Sequence, residues 1–198
     1  MPEEEFQFDM SHEANLARAA CAGDEQAFGQ LFNSLYGKVH RTVWAMMSDE
    51  QAAHDVVQEA WIKAWEKREK FNFQSRFSTW IHRIAIHSAL DALRKRKSRR
   101  KRFIGGITER FSGRLLNETG PRKDHPDKNL ENKELGREIE EAVAALPEDQ
   151  RTVLVLREYE GYSYGEIASV VGCQPGTVMS RLHLARQKLQ VHLKKEKS

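Results

Sequence analysis

Cysteine is scarce in this chain: two among 198 residues, Cys21 and Cys173, far apart and in no CxxC pair. That argues against a disulfide framework or a thiolate zinc site and points to a reducing compartment. No stretch approaches the roughly 18 consecutive apolar residues of a membrane helix, so no membrane insertion is expected. The acidic start, Met1-Pro2-Glu3-Glu4-Glu5, lacks the apolar run of a secretory signal, and a cytoplasmic location is expected. Catalytic signatures are missing too: no HExxH, GxSxG, Walker-type glycine loop or dinucleotide fingerprint occurs. Eight histidines are present, but His82 and His87, like His54 and Glu59, lie five apart and so off a common helix face. We therefore expect no enzyme, cofactor, metal or small-molecule substrate, and Cys21 and Cys173 as small packed groups.

Charge is abundant, at 31% of residues against 39% apolar, with a mean hydropathy of −0.69. The net value of +3 hides an uneven distribution. Residues 1–93 carry nine Lys/Arg against 14 Asp/Glu, and the last 96 residues carry 15 of each. Between them, Arg94-Lys-Arg-Lys-Ser-Arg-Arg-Lys-Arg102 places eight cations in nine positions. Such a block points to a polyanionic partner.

The periodicity is helical throughout, with no convincing strand pattern. A helix is expected over 14–22. A second follows Asp24 as N-cap and runs to about Met47, with Phe28, Leu31, Phe32, Leu35, Val39 and Val43 at three- and four-residue steps. Ser48-Asp-Glu-Gln51 reads as a capping box opening a third helix over 49–68. A polar and aromatic loop from Glu69 to Arg76 precedes a fourth helix, which begins near Phe77 and enters the basic block. Residues 104–133, with Gly105-Gly106, Gly113, Gly120-Pro121 and Pro126, read as a flexible linker. Helices resume near Glu134. Pro147 suits the first turn of the next one, and Ser163-Tyr-Gly-Glu166 is a second capping box. Gly172-Cys173 makes a turn before a longer helix from Pro175 to about Leu193. The expected fold is all-α: two small helical domains, over 14–103 and 134–195, joined by the linker 104–133.

Residues 162–193 have the layout of a helix-turn-helix. At about 100° per residue, Val178, Leu182, Ala185 and Leu189 share a narrow arc and should be buried. Gly176, Ser180, His183, Leu184 and Gln187 then point outward, with Arg181 and Arg186 on the flanks. Small and polar groups beside arginines suit reading in the major groove and anchoring on phosphates. The same pattern also suits an amphipathic helix packed in a bundle.

In the third helix, Val56, Val57, Ala60, Trp61 and Ala64 form an apolar side, while Asp55, Gln58, Glu59, Lys63 and Glu66 line the other. Past it, Phe71, Phe73, Phe77 and Trp80 interleave with Arg76 and Arg83. Holding an unstacked base requires aromatic or pocket surfaces with cations along the strand. Phe77 and Trp80 fall on the apolar stripe with Ile81 and Ile84 and read first as core. Phe71, Phe73, Asn72, Gln74 and Ser75 are expected to be freer to meet DNA.

Three sets of word-like segments carry a family resemblance. Leu146-Pro-Glu-Asp-Gln-Arg-Thr-Val-Leu154, Tyr159-Glu-Gly-Tyr162, Glu166-Ile-Ala168, Gly176-Thr-Val178, Ser180-Arg-Leu182 and Ala185-Arg186 resemble, in order and spacing, the −35 recognition domain of bacterial sigma factors. Asp55-Val-Val-Gln-Glu-Ala-Trp-Ile-Lys-Ala-Trp65 resembles the segment that docks on the coiled coil of the polymerase largest subunit. Phe77-Ser-Thr-Trp-Ile-His-Arg-Ile-Ala-Ile86 resembles the melting and −10 region. The whole is similar to the extracytoplasmic-function (ECF) subfamily of the sigma-70 family, with region 2 over 14–103 and region 4 over 134–195.

That resemblance implies a transcription initiation factor that binds RNA polymerase core, through the largest subunit and also the β subunit. It implies recognition and melting of promoter DNA, regulation by an anti-sigma factor, and a cytoplasmic, nucleoid-associated location when bound to polymerase. It implies Asp55, Gln58, Glu59 and Lys63 for core binding. For −10 binding and melting it implies Phe71, Asn72, Phe73, Ser75, Arg76, Trp80, Arg83, Arg94, Lys95 and Arg96. For the −35 element it implies Gly176, Thr177, Ser180, Arg181, His183, Leu184 and Arg186. Where such proteins often carry basic residues, this chain has Met179 and Leu184. A helix-turn-helix regulator that ignores polymerase core, and a helical interaction protein that ignores DNA, are the alternatives.

Overall fold

The computed structural model describes the backbone over Glu3–Ile104 and Leu130–Lys195, and side chains over 12–99 and 136–193. Every regular element among the described residues is helical. These are α1 (Glu3–Cys21), α2 (Glu25–Met47), α3 (Glu50–Glu66), a 3-10 turn (Arg68–Lys70) and α4 (Phe77–Ile104), then α5 (Leu130–Ala144), α6 (Glu148–Glu158), α7 (Tyr164–Val171) and α8 (Pro175–Lys195). Most of the expected linker, residues 105–129, lies outside the described residues, whereas its edges, Ile104 and residues 130–133, belong to helices. The chain forms two compact units, Met1–Trp44 with Glu50–Ala92 and Ala45–Asp49 with Leu93–Ser198.

The first unit follows its apolar periodicity. Leu31, Leu35, Val39 and Val43 of α2, Val56, Val57, Ala60 and Trp61 of α3, and Phe77, Ile81 and Ala85 of α4 are buried. Each large side chain so removed from water contributes about 1.5–3 kcal/mol. An aromatic cluster joins the three helices: the Phe28 ring lies edge-on to Trp61, Trp65 and Phe77 at 5.5, 5.0 and 6.3 Å. Asp24 caps α2 as expected, its Oδ1 accepting from the Gln26 and Ala27 amides at 2.9 and 3.0 Å.

The start of α3 corrects the sequence reading. Ser48 has φ +49, the left-handed region, whereas an N-cap residue needs extended backbone, so the expected Ser48 capping box does not open this helix. α1 also begins well before residue 14. It carries a cap that local pattern does not reveal: Glu13 Oε1 accepts from the Ser78 amide at 2.8 Å, in the first turn of α4. A carboxylate there complements the positive end of the helix dipole. Cys21 donates its S–H to the Arg68 carbonyl at 3.2 Å. Burial pushes its thiol pKa up, partly opposed by the Arg68 charge, and this keeps it a neutral packed group.

In the second unit α8 packs against α5, α6 and α7. Pro147 sits at the N-cap of α6 rather than within its first turn. The Ser163 capping box is complete: the Ser163 hydroxyl accepts from the Glu166 amide, and Glu166 Oε2 accepts from the Ser163 amide at 2.8 Å. Gly172 closes α7 at φ +76, a conformation open to glycine at little cost. Arg151 is only 2% exposed. Its guanidinium donates to the carbonyls of Ala144, Leu146, Met46 and Met47 at 2.9, 3.1, 3.0 and 3.1 Å, all within this unit.

Candidate docking and nucleic-acid interfaces

The buried stripe of α3 leaves its opposite side in solvent. Asp55, Gln58, Glu59 and Glu66 are exposed there, within an arc of about 100°. Gln51 Nε2 donates to Asp55 Oδ1 at 3.2 Å, and Gln58 Nε2 lies 2.9 Å from His54 Nε2. Lys63 stands apart from the outward set. Half-buried, it pairs with Glu59 at 2.6 Å and donates to Ser88 Oγ of α4 at 3.1 Å. It thus braces Glu59 and ties α3 to α4.

Sequence reasoning missed Ile62, which sits among these polar groups and is 60% exposed. The signal was available: positions 55, 59, 62 and 66 recur at three- and four-residue steps, so the isoleucine falls in the middle of the polar side. A large apolar group ringed by charges is the usual anatomy of an interface centre.

The loop before α4 divides its aromatics. Phe71 was expected to be free for DNA; instead it is 5% exposed, its ring 4.8 Å from Phe73, 5.6 Å from Phe77 and 5.3 Å from Trp80. Its burial follows from the 3-10 turn, which directs the chain back onto the core against α1 and α3. Phe73 remains 48% exposed and holds φ +58, uncommon for a bulky residue and costly by about 1–3 kcal/mol. Asn72 Oδ1 accepts from the Gln74 amide at 3.2 Å and shapes this tip. Asn72, Gln74, Arg76 and Arg83 are exposed, while Ser75 and Trp80 are half-buried. Arg76 lies 3.6 Å from Glu13, the cap of α4, so one acidic side chain ties loop and helix together.

Farther along α4, Arg94, Lys95 and Arg96 are exposed. Within the second unit Arg94 donates to the Val170 carbonyl at 2.6 Å, Arg96 pairs with Glu148 at 2.5 Å and Lys97 with Asp149 at 3.2 Å. The two ion pairs are individually weak, of order 0–1 kcal/mol, so phosphates can replace their carboxylates.

The outward face of α8 matches the sequence expectation. Val178, Leu182 and Ala185 are buried, Leu189 half-buried. Gly176, Thr177, Ser180, His183 and Arg186 are exposed, Leu184 is 43% exposed, and Arg181 is half-buried. Arg181 pairs with Asp149 at 3.1 Å and Arg186 with Glu158 at 2.6 Å, so both flanking cations are held at the edges of the helix. The hydrogen bond to Glu158 raises the Arg186 pKa further. Chemically, this unit offers a capped helix, a glycine turn and a second helix whose outward face is small and polar except at Leu184 and lies between two cations. Among the described residues no cluster of three or more His, Cys, Asp or Glu could hold a metal ion, and no helix is long and apolar enough to cross a membrane.

Comparison with known proteins gives two family matches: Sigma-70 region 2 over residues 31–99, and Sigma-70, region 4 over residues 136–189. The chain is 38% identical over 174 residues to the RNA polymerase sigma-H factor of Pseudomonas aeruginosa, covering 83% of this chain and 85% of that protein. It is 34% identical over 171 residues to the ECF RNA polymerase sigma-E factor of Haemophilus influenzae, covering 85% and 88%. Among solved structures it resembles the sigma factor RpoE of Bartonella quintana, bound to the anti-sigma factor NepR. There the TM-score is 0.54 and the identity 26%, over 84% of this chain and 96% of that one.

Proposed function

The chain belongs to the ECF group of the sigma-70 family, and from that premise we propose which of its residues engage polymerase and promoter. A protein of this family binds RNA polymerase core and directs promoter-specific initiation by recognising the −35 and −10 elements. In this chain we assign core docking to the exposed side of α3, with Asp55, Gln58 and Glu59 as contacts, Lys63 holding Glu59 in place, and Ile62 as the apolar centre. The single observation that carries this is an exposed acidic-polar side with one large apolar residue in its middle, on a helix whose other side is fully packed.

The −10 role falls to the loop tip and α4: Phe73 as the exposed ring, Asn72 and Ser75 as polar groups, Arg76 and Arg83 as flanking cations. Arg94, Lys95 and Arg96 serve the backbone. Phe71 and Trp80 support the tip from beneath. The −35 role falls to Gly176, Thr177, Ser180, Arg181, His183, Leu184 and Arg186. Functionally, region 2 occupies 14–103 and region 4 occupies 134–195, with 104–133 between them. The protein performs no covalent chemistry of its own, acts in the cytoplasm, and is restrained by an anti-sigma partner, as the solved Bartonella relative is seen bound to one.

Run-off transcription on the promoter of the protein's own operon, with purified bacterial core polymerase, tests the reading. A start site is expected only when the protein is added, and Asp55→Ala/Glu59→Ala should abolish it. Binding of that DNA without any transcript would instead mark a helix-turn-helix regulator. Leu184 supports a finer expectation, since its exposed methyls can meet a thymine methyl in the major groove. Leu184→Ala should weaken −35 binding mainly on sequences that carry that thymine. Equal loss on every sequence in a band-shift series refutes the contact.

A further inference from the structure

Behind the docking side of α3 lies a row of hydrogen-bonding groups of which the core-binding assignment uses only the outer end. Tyr36 Oη lies 2.6 Å from His54 Nδ1, and His54 Nε2 lies 2.9 Å from Gln58 Nε2. The row runs from half-buried Tyr36 on α2, through half-buried His54, to exposed Gln58 on α3. Its inner end is fixed by rings at helical spacing: Tyr36 packs on Phe32 at 5.1 Å and stacks on His40 at 5.7 Å and 21°.

The chemistry couples the two bonds. A hydroxyl, an imidazole and an amide can each donate and accept, so the bonds run in one sense along the row, from Tyr36 to Gln58 or from Gln58 to Tyr36. Either way one end of the Gln58 amide is tied to His54 and the other is left for the exposed side. An exposed glutamine is otherwise a long, rotamer-rich chain, whose ordering on binding weakens an interface. Asp55 and Glu59 on the same side are each tied by a neighbour, Gln51 and Lys63. Gln58 is the third polar group of the set, and its tie reaches into the helix pair.

We propose that Tyr36 and His54 are positioning residues for core docking, forming a relay that orders the Gln58 amide so that its free end meets a complementary hydrogen-bonding group of the polymerase. This deepens the docking assignment and rests on it.

The test is a double-mutant cycle on the full chain, reading affinity for purified core polymerase by competition. His54→Leu is expected to weaken binding about three- to tenfold, and Tyr36→Phe about threefold, the scale of freeing one such side chain. His54→Gln, whose amide can donate or accept in the place of Nε2, should restore most of the loss. In a Gln58→Ala background His54→Leu should cost nothing more, an outcome that a merely structural role for His54 would not produce. An undiminished loss in that background, or wild-type affinity for His54→Leu, overturns the relay. Melting curves for each variant separate misfolding from lost positioning. Asp55→Ala is the companion control. If it weakens binding while His54→Leu does not, the relay alone fails; if Asp55→Ala is silent, the docking face fails and takes the relay with it.

Discussion

Replacing Ile62 by aspartate should weaken the complex with core polymerase about 30-fold or more, the scale of a 2 kcal/mol loss at an interface centre. Ile62 is 60% exposed, so the fold has little to lose and the melting midpoint should stay near that of the parent. The aspartate acts twice. It removes apolar area from the middle of the α3 docking side, and it adds a carboxylate beside Asp55, Glu59 and Glu66 that the partner would have to desolvate. Ile62→Ala separates the two effects, since it removes area alone and should cost several-fold. Competition binding at two salt concentrations decides between mechanisms. If attraction between charges alone held the complex, Ile62→Ala would be silent and Ile62→Asp would matter only at low salt.

The second large effect is on stability. Arg151→Met should destabilise the second unit by about 3 kcal/mol or more, lowering its thermal midpoint by roughly 10 °C or more in circular dichroism. Four carbonyls depend on this one guanidinium. Three of them, from Ala144, Met46 and Met47, belong to the C-terminal ends of helices, where backbone acceptors have no intrahelical partner and the dipole favours a cation. Burial lowers the Arg151 pKa, Arg96 lowers it further and Glu148 partly opposes both, so the charge itself is held at some cost. Removing it relieves that cost but leaves four carbonyls without their donor, and the second term is larger. Arg151→Lys should also fall well short, because a single ammonium cannot present the planar fork that reaches carbonyls on several sides. A midpoint within 2 °C of the parent for Arg151→Met would mean that water reaches those carbonyls.

Much of the molecule was legible from local pattern. The buried Val178, Leu182 and Ala185 and the outward Ser180, His183 and Leu184 follow from one helical period, and the structure places them accordingly. The Ser163–Glu166 capping box and the Asp24 cap join residues two or three apart, so their chemistry is complete within the segment that names them. The family words did the same for the two sigma-70 regions, because each word is a contiguous stretch. Pattern failed at Ser48, where the capping sequence is present but the backbone turns left-handed, and at Ile62, whose place among polar groups required counting the helix turn by turn.

What the sequence determined by itself, then, is the helical class, the two family regions and the faces of individual helices, since these depend on spacings of two to four residues. Only the tertiary structure decided that Phe71 is buried under Phe73 and Trp80, that Glu13 caps α4 across 65 residues, and that Arg151 holds carbonyls up to 105 residues away. It alone drew Tyr36 and His54 behind Gln58. Such bonds are specific in space but leave no period along the chain, because a hydrogen bond constrains two atoms and not the residues between them.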